Sequence, residues 1–93
     1  MFDVNEYFEG KVKSLAFQAG NDKATVGVMA AGDYEFGTNT IEQMTLISGE
    51  MSVKLPNENN WRNIAINETF IVAADVSFLV KIGCDTAYLC LYK

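Results

Sequence analysis

GDYEFGTNTIEQMTLISG, residues Gly32 to Gly49, decides how the rest of the chain is read. Its alternation predicts two strands, Tyr34 to Thr38 and Gln43 to Ser48, joined by a short polar loop and closed by a glycine turn. Successive side chains of a strand point to opposite faces, so Tyr34, Phe36 and Thr38 share one face of the first strand. Met44, Leu46 and Ser48 share one face of the second. A loop carboxylate, Glu42, stands between them, where a barrel of short strands would have its mouth. Aromatic and polar groups mixed on inward faces point to a pocket more than to a plain core.

Upstream, residues 3 to 9 form a short helical or extended lead-in anchored by Tyr7 and Phe8. After Gly10 the pattern is β. Lys11 to Gln18 alternates loosely with Leu15 and Phe17 on one face, and Gly20-Asn21-Asp22 turns the chain into Ala24 to Ala31. Gly27 sits in the middle of that strand, where a glycine marks a bend, a bulge or the close approach of another group. Downstream, Met51 to Leu55 is ended by Pro56. After the polar loop PNENN come Trp61 to Ile66, a turn at Asn67-Glu68, and strands over Thr69 to Val72, Val76 to Ile82 and Thr86 to Tyr92. About nine short strands with turns every six to twelve residues predict an all-β sandwich or small barrel. With 93 residues and no linker or low-complexity tract, residues 1–93 are expected to form a single domain.

Apolar residues make up 49% of the chain, which excludes disorder. Twelve acidic residues against seven basic give a net charge of −5, which argues against nucleic acid or an anionic membrane as a partner. No window is apolar enough to span a membrane, and MFDVNEYFEG lacks the features of a signal peptide, so a cytoplasmic protein is expected. Cys84 and Cys90 lie roughly 20 Å apart if the chain between them is extended, too far for a disulfide, and are expected to be two buried thiols. Histidine is absent, which removes the commonest general acid/base and the commonest transition-metal ligand.

Glu42, six residues and Gly49 resemble the second half of the first cupin motif. A three-residue gap before Glu42 places Phe36 and Thr38 where metal-binding cupins have two histidines, and the second motif, aligned at Asn67, places Phe78 where they have the third. One carboxylate and one hydroxyl do not make a transition-metal site, so no metal is expected. Asn67 itself stands where cupins prefer glycine. Over nearly the whole chain, NEYFEGKVKS at 5 to 14, TVGVM at 25 to 29, the YxF of Tyr34 and Phe36 with Thr38 and Glu42-x-Met44, ISG at 47 to 49 and the ending YLCLY resemble the small pyrimidine/purine nucleoside phosphorylase family. The resemblance implies a metal-free, homodimeric cupin-type β-barrel, a double-stranded β-helix or jelly-roll, that splits many nucleosides with phosphate. Base and ribose 1-phosphate would be the products. Phosphate is then a co-substrate and no cofactor is needed.

That chemistry needs a pocket for the base, control of the ribose near an oxocarbenium-like transition state, and donors for phosphate. Tyr34, Phe36, Phe78 and Tyr88 are candidates to stack the base, because every base has a π-face. Glu42 is the candidate to accept ribose hydroxyls or steady developing positive charge, and Thr38 to donate to ribose or phosphate. Lys11 and Lys13, in the matched segment, are the first candidates for phosphate. Two other functions fit the same residues: a non-catalytic cupin that binds a nucleoside, sugar or other small polar ligand, and a structural cupin whose pocket is plugged by Phe36 and Phe78.

Overall fold

A computed structural model describes residues 1–93. Ten strands and no helix follow one another: β1 Val4–Tyr7, β2 Val12–Ala19, β3 Asp22–Met29, β4 Gly32–Gly37, β5 Glu42–Ser48, β6 Met51–Lys54, β7 Arg62–Ile64, β8 Thr69–Val72, β9 Ser77–Ile82 and β10 Thr86–Tyr92. They form a six-stranded antiparallel sheet, β1-β2-β3-β10-β5-β8, and a four-stranded one, β4-β9-β6-β7. The expected closed barrel is not formed. No edge of one sheet pairs with an edge of the other, so the core lies between two facing layers.

The inward faces follow from the two-residue period. In β10 Thr86, Tyr88 and Cys90 are buried, in β5 Met44 and Leu46, in β9 Phe78, Val80 and Ile82. Ser48 leaves the inward face of β5 because a bulge between Ala87 and Tyr88 shifts the register there, and it is exposed. β2 departs from expectation in its facing. Val12 and Ser14 are buried and point inward, whereas Leu15 and Phe17 lie on the outer face, only partly covered. The lead-in segment is extended, and its strand β1 pairs with β2 alone.

Turns carry the strain. Asn67 has φ +70°, the left-handed conformation that asparagine tolerates better than most residues, and so keeps the turn shape that glycine would give. Its amide donates to the Leu46 carbonyl at 2.6 Å, while Glu68 accepts from the Ala65 amide at 2.7 Å, which ties the β7–β8 turn to β5. Gly49, at φ +108°, brings β5 so close to Thr86 that a Cβ there would collide with the threonine side chain and backbone. Thr86 uses that proximity: its hydroxyl accepts from the Glu50 amide at 3.1 Å and donates to the Cys84 carbonyl at 2.8 Å.

Candidate functional site

A cavity of about 470 Å³ opens between the two sheets, a volume suited to a small ligand. Its floor comes from the six-stranded sheet: Tyr88, Cys90 and Tyr92 on β10, Glu42 and Met44 on β5, Ser14 on β2 and Met29 on β3. The facing wall is Phe36 and Gly37 of β4 and Phe78 of β9, and the β1–β2 turn adds Tyr7 and Phe8. Pairing explains the convergence. Phe36 lies directly across from Phe78, and Tyr92 directly across from Glu42. Each pair therefore points the same way into the gap.

One side of the cavity is aromatic. The Phe36 and Phe78 rings are 5.9 Å apart, centroid to centroid, and Phe8 sits 5.5 Å from Phe36 in an edge-on arrangement. The floor mixes Met29 and Met44 with polar groups, none of them basic. Glu42 is half-buried, and its Oε1 accepts a hydrogen bond from the Cys90 thiol at 3.5 Å. Burial raises the Glu42 carboxyl above its ordinary range, and the thiol's hydrogen bond offsets part of that rise. The Cys90 thiol is pushed up to about 12, first by burial and then by the Glu42 charge, so it stays a protonated donor. Tyr88 is pushed up to about 12 mainly by burial, and Tyr92 is raised for the same reason. Tyr92 also shares a 2.9 Å hydrogen bond with Thr25. The polar part of the floor is thus a single carboxylate among neutral O–H and S–H groups.

Four of the residues singled out from sequence, Phe36, Glu42, Phe78 and Tyr88, meet in this cavity. The other four are placed elsewhere. Tyr34 shares the inward face with Phe36, but it is buried in the core and its hydroxyl donates to the Ala30 carbonyl at 2.6 Å. Thr38 lies just past β4, where its hydroxyl donates to the Ala73 carbonyl at 2.7 Å and accepts from the Val76 amide at 3.1 Å. It is a clasp for the β8–β9 turn. Lys13 points to the outer face of β2 and pairs with Glu6 at 3.4 Å, and Lys11 is exposed outside the cavity lining. No lysine or arginine lines the cavity, whose only carboxylates are Glu42 and the exposed Glu35. The two thiols also differ from expectation: Cys90 is buried but Cys84 is exposed in the β9–β10 turn, and both are free. No three side chains of Cys, Asp or Glu converge as a metal-binding group.

A family model described as pyrimidine/purine nucleoside phosphorylase matches residues 2–92. The chain belongs to the pyrimidine/purine nucleoside phosphorylase family. A relative carrying that name in Alcanivorax borkumensis is 56% identical over 92 residues, covering 99% of this chain and 98% of its own. Among solved structures, a Vibrio parahaemolyticus protein of unknown function is similar with a TM-score of 0.95 and 40% identity, covering 100% of this chain and 99% of that one. Hydroxypropylphosphonic acid epoxidase from S. wedmorenis is similar at TM-score 0.79 with 8% identity, covering 99% of this chain and 55% of that one. That last likeness concerns the fold alone, and it fits a cupin-like arrangement of antiparallel sheets.

In this member of the nucleoside phosphorylase family, sequence reasoning missed Tyr7, Phe8, Cys90, Tyr92 and Ser14 as cavity residues. A usable signal existed for two of them. Tyr88, Cys90 and Tyr92 alternate on β10, so the choice of Tyr88 as an inward residue already implied the other two. Ser14 and the Tyr7–Phe8 turn carried no such signal, because their place depends on how β1 and β2 pair.

Proposed function

We propose that this chain is a broad-specificity nucleoside phosphorylase that splits purine and pyrimidine nucleosides with phosphate into free base and ribose 1-phosphate. Its support is the family to which the chain belongs, joined to one observation: a ligand-sized cavity is lined by a single half-buried carboxylate on one sheet and by phenyl rings on the facing one. A nucleoside has the same division. The ribose goes beside Glu42 and the base against the rings.

In this arrangement the Glu42 carboxylate opposes the positive charge that develops on the ribose ring as the C1′–N bond lengthens, an effect enhanced by its partial burial. Cys90 holds one carboxylate oxygen and leaves the other free for a ribose hydroxyl. A phosphate oxygen forms the new bond to C1′, and the C1′–N electron pair leaves with the base, which takes up a proton. Tyr88, Tyr92 and Ser14 supply neutral donors on the floor, and the two raised phenols remain protonated at neutral pH. Phosphate is therefore held by hydroxyl donors, with a lysine such as Lys11 acting only from outside the lining. The chemistry needs no cofactor, and we place the enzyme in the cytoplasm with its substrates.

A second copy of the chain completes the reading. In the six-stranded sheet Val4, Leu15, Val26 and Leu89 lie in register across four strands of the outer face, with Val28 exposed beside Val26 and Ile71 exposed on the edge strand β8 of the same face. An apolar sheet face of this extent suits a homodimer.

Incubating the protein with uridine and inosine, with and without phosphate, and following free base by chromatography tests the assignment. Base released only with phosphate, and lost in Glu42→Gln, supports it. No release from a folded protein would leave a binding module of the same fold.

A further inference from the structure

We infer that Phe8, carried on the β1–β2 turn, is the platform on which the nucleobase stacks, and that recognition of the base's face rather than its edge is what makes specificity broad. This rests on the phosphorylase assignment above. Three consecutive residues of the turn, Phe8, Glu9 and Gly10, have φ of +53°, +58° and +84°. Two of them are not glycine. Left-handed φ in adjacent ordinary residues is costly and is retained where surrounding structure holds it for a purpose. Here the turn is closed by Gly10 and Lys11 amides that donate to the Tyr7 and Phe8 carbonyls, both at 3.2 Å.

The result of that backbone is a ring projected over the cavity. Phe8 stands 5.0 Å from Tyr34 and 5.5 Å from Phe36, yet it is 43% exposed, although both rings beside it are at least partly buried. A phenyl ring that lines the cavity, packs against two neighbouring rings and is still 43% exposed has surface left for a planar ligand. It continues a series of rings through Phe36 to Phe78, at 5.5 and 5.9 Å. None of Phe8, Phe36 and Phe78 offers a side-chain donor or acceptor to the hydrogen-bonding edge of a base. A wall of that kind accepts purines and pyrimidines alike.

The test uses Phe8→Ala, Phe8→Leu and Phe8→Tyr in the synthesis direction, with uracil or hypoxanthine and ribose 1-phosphate. Phe8→Ala is expected to raise KM for both bases by about 5- to 150-fold, the span of one lost base–aromatic stack, with KM for ribose 1-phosphate unchanged. Phe8→Leu should behave like Phe8→Ala although it fills the space, and Phe8→Tyr should restore the bases. Active variants with unaltered base KM, or with both substrates' KM raised together, would overturn the role of Phe8 and leave the phosphorylase assignment standing. A folded wild-type protein that turns over neither direction would end both.

Discussion

Gly27 of β3 lies directly beneath the ring of Tyr88 on β10. A Cβ at position 27 would stand 2.7 Å from both Cζ and Oη of the tyrosine and 2.8 Å from the Lys13 carbonyl oxygen on the other side. The glycine leaves room for the phenol end of Tyr88 to lie against β3 in the floor of the cavity. Gly27→Ala is expected to push Tyr88 into the cavity and to strain β2, with a stability loss of about 1–3 kcal/mol typical of overpacking. Thermal unfolding and kcat/KM should both fall. Tyr88→Leu in the same chain should recover part of the stability without the activity. Full activity in Gly27→Ala would show that the position of Tyr88 is immaterial.

Glu42 governs the pH dependence. Its carboxyl is raised from 4.5 by burial, so the folded chain keeps a proton that the unfolded chain has already released. This contribution to stability is full below about 4.5 and is lost as pH rises through the folded value. Glu42→Gln should therefore raise Tm at pH 7 relative to wild type, with the gain shrinking toward pH 4. Activity moves the other way. If the carboxylate opposes ribose charge, kcat/KM rises with pH along an acid limb displaced above the ordinary carboxylate range. In Glu42→Gln the rate at pH 7 should drop by about 10²–10³-fold. A rate that falls through that limb would instead make the protonated acid the active form.

The two thiols should separate cleanly by reactivity. Cys84 is exposed in a turn, whereas Cys90 is 1% exposed with its thiol pushed up to about 12 beside Glu42. The thiolate is the reactive form. Iodoacetamide at pH 8 is expected to modify Cys84 alone in the native protein, and Cys90 only after denaturation, as read by mass spectrometry. Cys84→Ser should abolish native labelling and leave activity unchanged. Rapid native labelling of Cys90 would mean that the cavity floor opens.

The outer face of the six-stranded sheet predicts association. Val28 is 54% and Ile71 59% exposed, and both lie away from the cavity. Val28→Lys is expected to shift the protein from dimer to monomer in sedimentation or light scattering, because a charge at a covered apolar site has no partner. A wild-type protein that is monomeric at micromolar concentration would remove the reason for this apolar face.

The alternation of apolar residues by itself determined that the chain is all-β, where most strands run, and that Phe36, Met44, Phe78 and Tyr88 point inward. The glutamate-to-glycine spacing over Glu42 to Gly49 located the carboxylate, and the segments NEYFEGKVKS and YLCLY located the family. What alternation cannot do is choose a side when both faces are apolar. Leu15 and Phe17 are as hydrophobic as Val12, yet they point out, because β2 pairs with β1 and β3 in a register that turns Val12 and Ser14 to the core. Nor can local pattern say which hydroxyls are already engaged. Thr38 and Tyr34 hydrogen-bond to the Ala73 and Ala30 carbonyls, and their availability was settled only when those carbonyls came within reach. The meeting of Glu42 with Cys90 and Tyr92 across β5 and β10, and the arrival of Phe8 over Phe36 on a left-handed turn, are likewise decisions of the tertiary structure. They depend on strand register and on backbone conformations that no run of neighbouring residues dictates.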